Sequence, residues 1–236
     1  MTQSWHVDVL IPARNEEELL PRCLQSVLAS LSALPGNTTA HIIVVADSCT
    51  DHTPQIAAEM LRGRGTVLNA EVGAAGAARA LAAQCALGRS CGPLRRRWLA
   101  NTDADCIVPP TWLADQITRA RQGIEAIAGT VGVDDFAEHG PEVEARFRAS
   151  YFIAPDGSHP HIHGANLGLR ADVYLRAGGW ANLETAEDHD LWNRLVRART
   201  VTYSTSRIEV LTSGRRVGRA PHGFAGALAA DNEIAA

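Results

Sequence analysis

The chain has 236 residues, 46% of them hydrophobic, enough to bury a substantial core in one large domain or two small ones. Its net charge of −4 gives no support to nucleic-acid binding, and no run of about 18 apolar residues marks an integral membrane segment. Lysine is absent and all 22 basic side chains are arginine, which excludes Schiff-base catalysis, a phosphate-loop lysine and a lysine general base.

Residues 5–11 read as a first strand, stopped by Pro12. Asn15 and Glu18 have the spacing of a capping box. Behind them Leu19, Leu20, Cys23, Leu24, Val27, Leu28 and Leu31 recur at helical spacing, so one face packs on a sheet. Residues 42–46 are an unbroken apolar, mostly β-branched run, as in a central parallel strand. Thr53-Pro54 reads as a helix cap followed by Pro at the first helical position. A short strand at 66–68 and an alanine-rich helix over 73–87 follow. Arg95-Arg96-Arg97 reads as a solvated edge before a fourth strand at Trp98-Leu99-Ala100. A helix opened by Pro109-Pro110 and a fifth strand over 126–133 complete a βαβαβαβαβ alternation, which predicts a parallel sheet with helices on both faces.

The second half is less regular. It reads as a helix over 138–151, a His/Pro/Gly-rich loop over 155–163, a strand at 166–169, a helix over 187–196 and a final strand over 201–211. No repeat or linker is visible. The expectation is one domain over 1–224, with a nucleotide-binding half to about 133, an acceptor half over 134–224, and a loose tail over 225–236. The five cysteines (Cys23, Cys49, Cys85, Cys91, Cys106) form no CxxC pair, and no signal peptide precedes the first strand, so a cytoplasmic location with free thiols is expected.

The most informative stretch is Asn101-Thr102-Asp103-Ala104-Asp105-Cys106, directly after the fourth strand. Isolated buried carboxylates are costly, whereas at a strand's carboxyl end they can face a crevice and hold a divalent ion together with substrate phosphate. The other reading is a polar turn. Asp188 opens a helix within Glu187-Asp188-His189-Asp190, where the helix dipole keeps a carboxylate ionised. His159, His161 and His163 alternate as strand-borne ligands would; with no further ligand at clear spacing a zinc site is the lesser reading. Arg215 and Arg216 read either as a clamp for a diphosphate or anionic acceptor, or as a solvated tail.

Four blocks in order resemble the family 2 glycosyltransferases of the GT-A fold, over roughly residues 6–220: Val9-Leu10-Ile11-Pro12-Ala13-Arg14-Asn15-Glu16, Val44-Val45-Ala46-Asp47-Ser48-Cys49-Thr50-Asp51, Asp103-Ala104-Asp105, and Glu187-Asp188-His189-Asp190-Leu191. Between the last two lie the run from His163 to Arg170 and Gly178-Gly179-Trp180. The resemblance implies a Rossmann-like, mostly parallel sheet flanked by helices, with an irregular acceptor half. It implies that Pro12, Arg14 and Glu16 border the base and ribose, and that Asp47 reads the base. The usual acid pair has Ala46 in its first place here. Asp51 reads as a turn-ordering residue. Gly73 and Arg79 match a block that approaches the nucleotide; the other reading is a helix start and a surface arginine.

By the same resemblance Asp105 binds Mn²⁺ or Mg²⁺, Asp103 contacts the metal or ribose, and His222 reaches back to the metal. Asp188 is the catalytic base, Glu187 orients the acceptor, and His163 with Asn166 lines the sugar or acceptor pocket. The implied activity is transfer of one sugar from a nucleoside diphosphate sugar, UDP-linked by preference, to an acceptor hydroxyl, with inversion. A retaining transferase and a non-catalytic nucleotide-sugar binder of the same fold are the alternatives. A nucleotidyltransferase lacks its glycine-rich opening and lysine here, and no GxGxxG follows the first strand for a dinucleotide enzyme. The acceptor's identity and homo-oligomerisation stay open.

Overall fold

Alternation with period two sets both faces of the central sheet. In Trp5–Ala13 (β1), Val7, Val9 and Ile11 enter one core while Leu10 enters the other. In Thr38–Asp47 (β2), Ile42 and Val44 part in the same way from Ile43 and Val45. The remaining strands are Gly65–Ala70 (β3), Arg97–Asn101 (β4), Ala126–Val133 (β5), Leu167–Arg170 (β6) and Thr202–Thr212 (β7). The helices are Leu20–Leu31 (α1), Thr53–Met60 (α2), Ala75–Gly88 (α3), Trp112–Arg121 (α4), Pro141–Ser150 (α5), Ala171–Arg176 (α6) and Glu187–Arg197 (α7). This computed structural model describes residues 4–89, 91–218, 226 and 228.

Among the described residues the strands form one seven-stranded sheet, in the order β3-β2-β1-β4-β6-β5-β7. Helices α1, α2 and α4 bury Leu24, Ala57 and Trp112 in the core on one face. Helices α3 and α7 bury Ala82, Ala83 and Leu191 on the other. The small alanines of α3 let that helix lie close on β1 and β2, so its amino end meets the carboxyl ends of the strands. All sheet neighbours run parallel except β6, which is antiparallel to β4 and to β5. The sheet is therefore mostly parallel, and residues from the second half of the chain sit between β4 and β5.

Several local expectations change. Pro12 does not stop β1; the strand runs to Ala13. Pairing with β4 ends at Leu10, whose carbonyl faces β4 and accepts from Thr102 N–H, so two residues on, the missing N–H of Pro12 faces an edge that β4 has already left. Asn15 is not a helix cap. It sits at φ 52 with its side-chain Oδ1 accepting from Thr50 N–H at 2.8 Å, and α1 starts only at Leu20. Thr53 does not cap α2, since its hydroxyl accepts from Glu16 N–H at 2.8 Å. Asp51 orders that turn, accepting from Thr53 N–H at 3.0 Å and Glu17 N–H at 3.1 Å.

Arg97 is not solvated. It opens β4 fully inside the protein and donates to Asp8 at 2.9 Å, to Arg89 O at 3.0 Å and to Ala86 O. Burial alone would raise the Asp8 carboxyl, but hydrogen bonds from His6 and Arg97 outweigh it and hold the group below its ordinary range. This pair lies at the amino ends of the strands, away from the cleft described next.

Candidate active site

The carboxyl ends of β1, β2 and β4 open on a cleft of about 510 Å³, at the place where the sheet order reverses on either side of β1. Its far wall is the turn before α7. Of the residues expected from the sequence, Pro12, Arg14, Glu16, Asp47, Gly73, Arg79, Asp103, Asp105, His163, Glu187 and Asp188 all line it. His222 lies outside the described residues. Asn166 does not line the cleft.

Asn166 is buried in the core instead. Its amide donates to Thr130 O at 2.8 Å and Ile208 O at 2.9 Å, and its oxygen accepts from the Trp112 indole at 3.0 Å. Those carbonyls belong to the point where the β5–β7 register shifts between Gly129 and Thr130. Asn166 thus satisfies backbone groups that the irregular pairing leaves over.

Asp47 ends β2 and is nearly enclosed. Its carboxylate accepts from Val72 N–H at 2.7 Å and from Gly73 N–H at 3.0 and 3.1 Å. It therefore shapes the loop before α3, where Gly73 takes φ +76, a conformation that L side chains rarely adopt. Its remaining lone pairs stay available to a ligand N–H.

Arg79 is buried at 3% exposure and is neither a surface residue nor an open anion clamp. One terminal nitrogen meets Asp103 at 2.5 Å and the other meets Glu187 at 2.6 Å. The guanidinium also lies 5.3 Å from the centre of the Trp180 ring. The space it needs comes from Gly164, where a Cβ would fall 2.6 Å from the Arg79 guanidinium carbon.

Asp188 sits in the first turn of α7, and its Oδ2 accepts from Gly164 N–H at 2.9 Å. Beside it His163 shares a 2.9 Å hydrogen bond with the Tyr151 hydroxyl. Burial pulls the His163 imidazole down to about 4; Asp188 opposes this, and His161, His189 and His159 add to it. His163 is therefore neutral near pH 7.

On the near side, Arg215 grips Glu16 through both terminal nitrogens at 2.8 and 2.7 Å and reaches Asp105 at 3.0 Å. Burial pushes the Asp105 carboxyl up, with Asp103 and Glu16 adding and Arg215 opposing, to about 6. Arg215 is thus not a solvated residue: its guanidinium is turned inward onto two carboxylates. Nothing in the sequence pairs residue 215 with residue 16; only the return of β7 to the sheet does so. The segment containing Glu184 and Thr185 also lines the cleft without any preceding signal.

Asp103 and Asp105 present hard oxygen donors side by side, which suits a divalent ion of the Mg²⁺ or Mn²⁺ kind. Among the described residues no three His, Cys, Asp or Glu side chains gather into a cage. The pair therefore fits an ion that takes its remaining ligands from a substrate and water.

The mostly parallel sheet, with its cleft at the strand ends, is the GT-A fold, shared with solved glycosyltransferase structures. The chain belongs to glycosyl transferase family 2, whose profile matches residues 8–176. Solved structures agree with the fold. S. aureus TarS 1-349 in complex with UDP superposes with a TM-score of 0.63 at 16% identity, over 89% of this chain and 61% of that one. The mannosyltransferase PcManGT from Pyrobaculum calidifontis, in complex with GDP-Man and Mn²⁺, gives 0.64 at 19% identity, over 99% and 70%. The chain thus spans about three fifths of the TarS chain. No curated protein sequence matches it. Among the described residues no helix is long and apolar enough to cross a membrane.

Proposed function

We propose that the protein transfers one sugar from a nucleoside diphosphate sugar to an acceptor hydroxyl, with a divalent metal at Asp103 and Asp105, Asp188 as base, and inversion at the anomeric carbon. The observation that carries this reading is that the two acidic loops face one cleft from opposite sides and are tied together by Arg79. Family membership supports glycosyl transfer, and neighbours holding UDP, UDP-GlcNAc and GDP-Man support a nucleotide-sugar donor. An aspartate at the end of β2 can accept a uracil ring N–H, and equally a guanine ring N–H, so UDP is the first donor to test and GDP the second.

Bound at Asp105 and Asp103, Mn²⁺ or Mg²⁺ would neutralise charge on the departing diphosphate. The chain's own groups do the rest. Asp47 and Gly73 border the base, and the amino end of α3, exposed through Ala74 and Ala75, offers backbone N–H groups to phosphate. Asp188 takes the acceptor's proton as its oxygen attacks, a role that needs the carboxylate within about 3 Å of the hydroxyl. Gly164 N–H at 2.9 Å and His189 N–H at 2.7 Å each fix one of the Asp188 oxygens and leave a lone pair on each for that proton. Neutral His163 lines the wall without adding charge to the acceptor side.

The test is a thermal-shift panel of uridine, guanosine, cytidine, adenosine and thymidine diphosphates, each with and without Mn²⁺. A nucleotide at 100 times its dissociation constant should stabilise the fold by about 2.7 kcal/mol. A shift for one base only with Mn²⁺ is expected. Absence of any shift would overturn the donor site. The anomeric configuration of the product, read by NMR, decides between inversion and retention.

A further inference from the structure

Arg215 is held in place by more than its own ion pairs. After β7 the chain turns at Ser213 and Gly214 and is pinned to the loop that follows β5. Gly214 N–H donates to Asp134 at 3.0 Å, its carbonyl accepts from the His139 ring at 2.6 Å, and Arg216 N–H donates to Glu138 at 3.0 Å. A Cβ at position 214 would fall 1.8 Å from Asp135 O, so only glycine lets the two segments lie this close. With the backbone anchored on both sides, the Arg215 side chain is turned inward onto Glu16 and Asp105.

The guanidinium is charge-matched to this spot. It is 17% exposed, beside Glu16 at 5% and Asp105 at 14%. Its Nε is buried with no hydrogen-bond partner among the described residues, so one donor of the fork is unspent. Asp105 is also the expected metal ligand, and its Oδ2 already faces a cation. Asp105 Oδ1 is held only by the Thr212 hydroxyl at 3.4 Å and the Cys106 thiol at 3.7 Å, so a divalent ion arriving alone either displaces the guanidinium from Oδ2 or lands on Oδ1 directly beside its positive charge. A divalent ion arriving with a diphosphate brings negative charge that can satisfy both cations.

We propose that Arg215 is the resident counter-cation of the donor site: it competes with divalent metal for Asp105, so that the metal binds strongly only together with the nucleoside diphosphate. This rests on the donor-site reading given above. By thermodynamic reciprocity, metal and nucleotide then raise each other's affinity by the same factor, and Arg215 sets the size of that factor.

The experiment is direct Mn²⁺ binding, followed by electron paramagnetic resonance, with and without UDP and GDP. The proteins are the full chain, Arg215→Met, Arg215→Gln and the double variant Arg215→Met/Asp105→Asn. The wild type should bind Mn²⁺ weakly alone and much more tightly with nucleotide. Arg215→Met should bind Mn²⁺ alone at least about tenfold more tightly than wild type, with a smaller gain from nucleotide, and the double variant should lose the increase. Arg215→Gln gives the same reading if Arg215→Met does not fold. Mn²⁺ affinity unchanged or lower in both single variants, with nucleotide-linked binding intact in the wild type, overturns the competition but spares the donor site. Absence of nucleotide-linked Mn²⁺ binding in the wild type overturns both. Donor cleavage undiminished in EDTA makes Arg215 a permanent replacement for the metal and also overturns the competition.

Discussion

Asp103 and Glu187 share one buried guanidinium, that of Arg79, at 2.5 and 2.6 Å. Each neighbours a residue proposed for the chemistry, Asp105 on one side and Asp188 on the other. Arg79, which also lines the cleft, therefore ties the two acidic loops together. Removing one partner of a buried, hydrogen-bonded ion pair costs about 3–5 kcal/mol. Arg79→Met should lower thermal stability by that order and abolish release of nucleoside diphosphate from the donor. Arg79→Lys keeps the charge but cannot span both carboxylates, so it should recover part of the stability and little of the turnover. Full turnover in Arg79→Lys would show that this tie does not matter.

Asp105 and Asp188 should separate binding from chemistry. Asp105→Ala is expected to remove Mn²⁺-dependent nucleotide binding in a calorimetric titration. Asp188→Asn should leave that binding within about twofold and slow transfer by roughly 10²–10⁴, the range for a lost general base. Near-normal transfer by Asp188→Asn would assign the base elsewhere.

Asp47 is predicted to act twice. Asp47→Ala leaves Val72 and Gly73 N–H without their acceptor, at a cost of about 1–3 kcal/mol. Asp47→Asn keeps one acceptor oxygen, so its melting temperature should lie nearer the wild type. Its affinity for uridine and guanosine diphosphates should nevertheless fall, since either base offers a ring N–H to the carboxylate. If Asp47→Asn binds both nucleotides as the wild type does, Asp47 only shapes the loop.

His163 gives a pH signature. Its imidazole, ordinarily near 6.5, is pulled down to about 4 in the fold. Between those values the unfolded chain binds the proton and the folded chain does not. The contribution to stability is complete above pH 6.5 and is lost as pH falls toward 4, by at most about 1.4 kcal/mol per pH unit. Asp188, His161, His189, His159 and Tyr151 surround this ring, so a non-titrating His163→Gln is the comparison. Denaturant titrations from pH 7 to 4 should show a shallower loss in the variant; parallel curves would refute the assignment.

Asn166→Ala should behave as a core lesion. Three hydrogen bonds disappear and two carbonyls at the β5–β7 irregularity lose their donor. A fall of about 2–4 kcal/mol in stability is expected, with donor affinity of the folded protein unchanged. A variant of normal stability but weakened substrate binding would return Asn166 to the pocket.

Much of the fold was legible because local pattern and burial agree. The span 126–133 is read as a strand and is one, and the β-branched run at 42–46 lies inside a strand flanked on both sides. The apolar run ending at Leu31 forms a helix with its buried face on the sheet, as its helical spacing implies, and the acidic block at 187–190 opens a helix as read. What escaped is what alternation does not encode. Leu167–Arg170 alternates correctly, but alternation has no direction, and its antiparallel insertion beside β4 depends on the route of the preceding loop. Arg97 reads as part of a basic run because its partner Asp8 lies 89 residues away. The cleft's acids were legible as motifs, and Arg79 and Arg215 as candidates, whereas the pairing of these cations with Asp103, Glu187, Glu16 and Asp105 is defined only by folding.

The antiparallel strand β6 has a consequence for synthesis of the chain. Both β4, which leads into the Asp103–Asp105 loop, and β5 are complete by residue 133, yet the strand that joins them begins at Leu167. Until that stretch leaves the ribosome, two apolar strands stand with unsatisfied edges, the usual template for pairing with another chain. A fragment ending before residue 167 is therefore expected to aggregate through these edges rather than stand as a smaller module.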